Sequence, residues 1–83
     1  MSVEYYKKQL VDLRARVANE REAKKKDNAY YNNLIKGASS TSSKASYRKR
    51  KIEKSAYHDR QIESLKRQIE RTRDRLARER KRK

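Results

Sequence analysis

Apolar side chains in the second half of the chain recur at alternating intervals of three and four residues. From residue 62 onwards the recurring positions are Ile62, Leu65, Ile69, Thr72 and Leu76. This spacing places about one side chain per turn on a single stripe of a helix, and it is the heptad pattern of a coiled coil. The sequence therefore predicts a helix over residues 45–76 that packs against another helix.

A second stripe with the same spacing runs through the first half of the chain. Its members are Val3, Tyr6, Leu10, Leu13, Val17, Glu20, Lys24, Asp27, Tyr31 and Leu34. The stripe is apolar at both ends and polar in its middle, at Glu20, Lys24 and Asp27. We predict a first helix over residues 1–36, roughly 50 Å long.

A Gly/Ser-rich segment, residues 37–44, separates the two predicted helices. Gly37 suits the left-handed conformation that follows many helices, and the serines are good N-caps for the next helix. We predict that the chain turns here and that the second helix folds back on the first. Residues 77–83 then form a basic C-terminal extension that projects beyond the first helix.

We predict the register in which the numbers of two facing residues add up to about 79. In this register the apolar residues of one stripe lie opposite apolar residues of the other. Leu10 then meets Ile69, and Leu13 meets Leu65. Four residues upstream fit the heptad poorly: Ile52, Ser55, Ala56 and Asp59. They indicate a local phase shift in the second helix. The predicted fold class is all-α, an antiparallel two-helix coiled-coil hairpin.

Composition limits how this hairpin can be stabilised. Only 33% of the 83 residues are hydrophobic and 45% are charged, so the chain cannot bury a large core. A lone two-helix hairpin is marginally stable, and we therefore expect an oligomer or a bound partner protein. The longest uninterrupted apolar run, residues 29–31, is too short for a membrane span, and we expect a cytoplasmic protein.

Charge is the second feature of the composition, because 26 Lys and Arg against 11 Asp and Glu give a net charge of +15. In an antiparallel hairpin, the residues that border the first stripe on one side lie beside residues that border the second stripe. That side collects six bases, which we call the basic flank: Lys7, Arg14, Arg21, Lys66, Arg73 and Arg80. Together with Arg82 and Lys83 of the C-terminal extension, the basic flank is predicted to bind an anionic partner.

The opposite flank is less basic. It carries Gln9, Ala23, Tyr30, Gln61 and Gln68, with bases only at Arg16, Lys54 and Arg75. We predict that this side contacts another copy or a partner protein. The residues assigned to that interface are Tyr30, Tyr31, Tyr47, Gln61 and Gln68. As an alternative, the tyrosines near the turn and the bases around them stack and clamp a single nucleic-acid strand.

Residues for catalysis are scarce. The single histidine, His58, is followed by Asp59, and an isolated His–Asp pair is too little for a metal-dependent hydrolase. The absence of cysteine excludes thiolate chemistry and Cys-based zinc sites. The sequence therefore predicts a protein with no catalytic residues, no metal and no cofactor.

Three segments, MSVEYYKKQL, SSTSSKASYRKRKIE and QIESLKRQIERT, resemble the N-terminal coiled-coil hairpins of bacterial conflict-system proteins. In that family such segments often precede a Toll/interleukin-receptor-like effector domain. The resemblance implies a bacterial or phage origin and an assembly role, and it places any signalling activity in a partner.

The functional hypothesis is a non-enzymatic helical-hairpin module for assembly or interaction, whose basic flank contacts an acidic protein or nucleic acid. The alternative is a nucleic-acid-binding protein without sequence preference. Salt dependence separates the two, because phosphate binding releases counterions and weakens steeply as salt rises.

Overall fold

The computed structural model describes residues 2–82, and Met1 and Lys83 lie outside it. Two long helices, α1 (Ser2–Gly37) and α2 (Thr41–Lys81), pack side by side in opposite directions. The molecule measures 66 × 14 × 10 Å, the shape of a helix pair folded once. The predicted all-α helical hairpin is confirmed.

The turn is shorter than predicted. Only residues 38–40 separate the helices, and residues 41–44, expected in the turn, belong to α2. Ser40 is the reason, because its backbone is extended (φ −113°, ψ 150°) and its hydroxyl accepts a hydrogen bond from the Ser43 amide at 3.1 Å. This N-cap satisfies an amide that has no partner inside the helix, so α2 can begin at Thr41.

Gly37 does not adopt the left-handed conformation that we predicted for it. It is the last residue of α1, and no described residue has a positive φ. A Cβ placed on Gly37 would meet no atom within 4 Å. The glycine is therefore not required for the turn, and it lowers the helix propensity of the last turn of α1.

Replacing Gly37 by alanine should stabilise the hairpin by about 0.5–1 kcal/mol, because alanine restricts the unfolded chain and favours the helix. The free energy of unfolding, measured by urea titration followed by circular dichroism, gives the result. Ala38→Gly is the matched control and should destabilise or have little effect. A Gly37→Ala protein less stable than wild type would show that the turn needs a left-handed residue after all.

The C-terminal segment differs from the prediction as well. Residues 77–81, expected to project as a basic extension, continue α2. Arg78, Arg80 and Lys81 lie in the last turn, where positive charge interacts favourably with the helix dipole. The chain contains no proline that would end the helix earlier.

The core is the interface between the two stripes. Its buried apolar residues are Leu10, Leu13, Val17, Ile62 and Leu76. Thr72 is buried among them, and its hydroxyl donates to the Gln68 carbonyl at 2.8 Å within its own helix. Every other position of the α1 stripe is half-buried, including the polar residues at its middle. The predicted stripes therefore form the helix–helix contact.

The predicted phase shift in the second helix is wrong. Ser55 is half-buried and His58 is buried, and they stand seven residues before Ile62 and Leu65, so the heptad continues unbroken. Ile52 lies off the stripe and is 69% exposed. In this part of α2 the polar residues Ser55 and His58 continue the stripe, whereas the apolar Ile52 faces solvent.

The register also differs from the predicted one. Asn28 Oδ1 accepts a hydrogen bond from Ser55 Oγ at 2.8 Å, and Lys24 Nζ lies 2.7 Å from Asp59 Oδ1. The residue numbers of each pair add up to 83, four more than predicted, which is about one helical turn. The predicted register would have placed Glu20 opposite Asp59. The observed one replaces this repulsion with a Lys24–Asp59 ion pair.

Neither helix contains a stretch that is both long and apolar enough to cross a membrane, as far as residues 2–82 are concerned.

Candidate anionic-partner interface

Four residues of the basic flank line one open groove, which we call the basic groove. Two come from each helix: Lys7, Arg14, Arg73 and Arg80. Apolar residues complete the lining of the groove: Leu10, Val11, Leu76 and Ala77. The structure therefore brings the two halves of the predicted basic flank together at the end of the hairpin remote from the turn.

The spacing of the four bases follows from helix geometry. Lys7 and Arg14 are seven residues apart, as are Arg73 and Arg80, and seven residues rise by about 10.5 Å. All four side chains are exposed. Lys7 Nζ lies 3.6 Å from Glu4 Oε1, which is a weak ion pair. The three arginines make no ion pair with any carboxylate of residues 2–82. Their charge is therefore available to a partner.

The remaining predicted anion-binding residues are more dispersed. Lys66 lies further along α2, where it and Arg73 line a second groove with Ile69, Glu70, Asp74 and Ala77. Arg21 is exposed and lines neither groove. Arg82 is exposed and lies 3.5 Å from Glu79, and Lys83 is outside the described residues.

The opposite flank is more basic than we predicted. Its groove is lined by Gln9, Asp12, Leu13, Arg16, Gln68, Arg71, Thr72 and Arg75. Gln68 is thus part of a surface with three arginines, of which Arg71 was not expected there. Gln61 is exposed on the same side of α2. This part of the flank is not a neutral surface.

The predicted tyrosine cluster is only partly assembled. The rings of Tyr30 and Tyr31 pack edge to face with centroids 5.3 Å apart, and Tyr30 is 60% exposed. Tyr31 shares a groove with Tyr57, whereas Tyr47 contacts Arg50, whose guanidinium carbon lies 6.0 Å from the Tyr47 ring centre. Tyr57 was not assigned to this cluster because the prediction considered only the tyrosines near the turn.

A polar layer interrupts the core at mid-length. His58 is only 6% exposed, and both of its ring nitrogens contact carboxylates of α1. Nδ1 lies 2.5 Å from Glu20 Oε1, and Nε2 lies 2.6 Å from Asp27 Oδ2. Two ionised carboxylates can both be satisfied only if both nitrogens donate, which requires the imidazolium form.

The polar layer raises the pKa of His58 above its usual value. The hydrogen bond with Asp27 is the largest cause and the one with Glu20 the next, while burial of the ring opposes them. The two carboxylates bind opposite sides of the ring, so they do not converge on one point. Within the described part of the chain, no three His, Cys, Asp or Glu side chains are grouped to hold a metal ion.

Comparison with known proteins identifies no relative. No family model matches the sequence, and no curated protein and no solved structure gives a significant match. The resemblance to conflict-system coiled coils therefore stays a prediction, and the functional argument depends on the geometry described above.

Proposed function

We propose that this protein is a non-enzymatic interaction module, a helical hairpin that binds an anionic partner along the basic flank. The observation that supports this best is the convergence of Lys7, Arg14, Arg73 and Arg80 on one groove. Like charges placed side by side repel each other and destabilise the hairpin. A bound polyanion removes that repulsion, and this makes the groove a favourable docking surface.

The large accessible surface of the hairpin supports an assembly role. The chain exposes 6746 Å². A compact monomer of 10.0 kDa would expose about 5,200 Å². The excess of about 1,500 Å² exceeds the roughly 800 Å² that each partner buries in a standard protein interface. The hairpin can therefore bury additional surface against a partner, as the resemblance to assembly modules also suggests.

Replacing the four groove bases by glutamine should weaken polyanion binding by about tenfold or more, since each lost charge pair contributes on the order of 0.5 kcal/mol near a surface. Fluorescence anisotropy with labelled poly-L-glutamate and with a labelled DNA duplex would measure the affinity. The variant is Lys7→Gln, Arg14→Gln, Arg73→Gln and Arg80→Gln. Circular dichroism would confirm that it remains helical.

The matched control removes one lysine and three arginines from outward faces, so that both variants have the same net charge. Its substitutions are Lys8→Gln, Arg60→Gln, Arg67→Gln and Arg78→Gln, all at exposed positions. We expect less than a threefold loss of affinity for this control. Equal losses in both variants would show that total charge, and not the groove, governs binding.

The second candidate is a nucleic-acid-binding protein without sequence preference. The arginines of the opposite groove, Arg16, Arg71 and Arg75, favour it because they spread positive charge around the rod. In that case the DNA duplex binds more tightly than poly-L-glutamate, and its affinity falls linearly with salt on logarithmic axes. Both quadruple variants would then lose affinity to a similar extent.

A further inference from the structure

We infer that the basic groove receives an acidic amphipathic helix of a different protein, which completes a three-helix assembly. The inference rests on the proposed function and specifies the chemistry of the partner. Three properties of the groove lead to it: its apolar lining, the spacing of its bases, and the charge of the surfaces around it.

The apolar lining shows that the groove is suited to more than an anion. Leu10 and Leu76 are buried at its base, whereas Val11 is 64% exposed. A ligand that offered charge alone would leave Val11 in water and gain nothing from it. A helix that presents apolar side chains would cover Val11 and Ala77 and gain the free energy of their burial.

The spacing of the bases matches the repeat of a helix. Acids seven residues apart on a docked helix lie about 10.5 Å apart, which is the separation of Lys7 from Arg14 and of Arg73 from Arg80 along their helices. A helix that packs on both α1 and α2 can thus place one acidic edge beside each pair of bases. Charges at these flanking positions determine the choice of partner in coiled coils.

The surrounding charge disfavours a phosphate backbone as the occupant. The second groove, which adjoins the basic groove through Arg73 and Ala77, also contains Glu70 and Asp74. A nucleic acid that followed the flank would bring its phosphates close to these two carboxylates. A peptide helix can present a neutral or basic residue at that position.

A second copy of the chain is disfavoured by its own net positive charge. The chain has 11 acids against 26 bases. Three of those acids, Glu20, Asp27 and Asp59, already bind His58 and Lys24 inside the hairpin. The other eight acids are far outnumbered by the bases, so a second copy would bring more positive than negative charge to the basic groove, and a more acidic molecule fits it better.

A synthetic peptide of three heptads tests the inference. It carries leucine at the first and fourth positions of each heptad, glutamate at the fifth and seventh, and alanine or glutamine elsewhere. The glutamates keep the peptide from pairing with itself. We expect it to bind the hairpin at least about tenfold more tightly than a scrambled peptide of the same composition, and to gain helicity in the complex.

Val11→Gln is the variant that distinguishes the inference from the proposed function. It should weaken binding of the amphipathic peptide by about tenfold and leave poly-L-glutamate binding unchanged, because only the apolar contact is lost. Ile52→Gln is the matched control, since Ile52 is equally exposed but lies outside the basic groove. The control should bind the peptide as wild type does.

The outcomes of these experiments test the helix inference and the proposed function separately. If both peptides bind equally and Val11→Gln has no effect, the helix inference is wrong while the basic groove still binds anions. If the DNA duplex binds more tightly than the amphipathic peptide and needs the four groove bases, a nucleic acid is the occupant. If neither peptide nor duplex depends on those bases, the proposed function itself is wrong.

Discussion

Raising the pH from about 6 to about 9 lowers the free energy of unfolding of the hairpin, because His58 loses one of the two ring protons that it donates to Glu20 and Asp27. The pKa of His58 is higher in the folded chain than in the unfolded one, with Asp27 and Glu20 as the main causes. A group with a raised pKa stabilises the fold fully below its unfolded pKa. The stabilisation disappears as the pH rises through the folded pKa.

The groups around His58 determine the size of this effect. Glu20 and Asp27 face its two nitrogens, Tyr57 packs against its ring, and the neighbouring Lys24–Asp59 pair is already neutralised. The carboxylates of Glu20 and Asp27 are each partly exposed, and the surrounding solvent weakens their hydrogen bonds to the His58 ring. We expect about 1–2 kcal/mol from each hydrogen bond to the imidazolium.

Thermal melts at both pH values, monitored by circular dichroism, measure the effect. Glu20→Gln and Asp27→Asn should each lower the melting temperature at about pH 6, by roughly 4–8 °C per kcal/mol lost. His58→Gln should remove most of the pH dependence. The difference between the pH profiles of the His58→Gln variant and the wild type measures the contribution of the histidine and its two hydrogen bonds. A His58→Gln protein with the wild-type pH profile would contradict this assignment.

Joining Asn28 to Ser55 by a disulfide should stabilise the hairpin by about 3–4 kcal/mol, because the bond closes a long loop in the unfolded chain. The side chains of both residues are short, and they already touch, with Oδ1 and Oγ 2.8 Å apart. The chain has no other cysteine, so Asn28→Cys with Ser55→Cys can form only this intramolecular bond. Thiol titration and a non-reducing gel at low protein concentration would detect it.

The control for the disulfide tests the register itself. Lys24→Cys with Ser55→Cys joins two residues that would face each other if the pairing sum were 79, as predicted from the sequence. In the structure Lys24 lies opposite Asp59, about one turn away from Ser55. This pair should oxidise slowly and give little stabilisation. Faster oxidation of the Lys24/Ser55 pair than of the Asn28/Ser55 pair would support the predicted register.

Hydrophobic spacing was sufficient to predict the two helices and the apolar parts of their buried faces. The positions of Leu10, Leu13, Val17, Ile62 and Leu76 follow from the alternation of three and four residues, and all five are buried. Two long amphipathic segments with one interruption have few compact arrangements other than a hairpin. This is why the fold class could be predicted without any relative.

The register could not be predicted in the same way. Apolar stripes tolerate a shift of one turn, since one leucine replaces another with little change in buried area. The polar layer is less tolerant, because His58 needs two carboxylates and Lys24 needs Asp59. The predicted register was chosen because it pairs apolar residues, although it places the acidic Glu20 opposite the acidic Asp59. Weighting the charges at mid-length would have indicated the observed register.

The basic groove was only partly visible in the sequence. The heptad assigned Lys7, Arg14, Arg73 and Arg80 to one flank with Arg21 and Lys66, but it could not show that only the first four would share a single groove. Val11 was missed because it lies off the stripe. Its significance depends on the neighbouring helix, which covers Leu10 and leaves Val11 exposed.

The short turn has a practical consequence for the design of binding measurements. Because the helices are antiparallel, the first and last described residues emerge at the same end of a rod 66 Å long, which is also the end with the basic groove. A fluorophore, affinity tag or surface linker attached near residue 2 or residue 82 would crowd the proposed docking surface. Attachment at Ser39, on the opposite tip, leaves the groove pointing freely into solution.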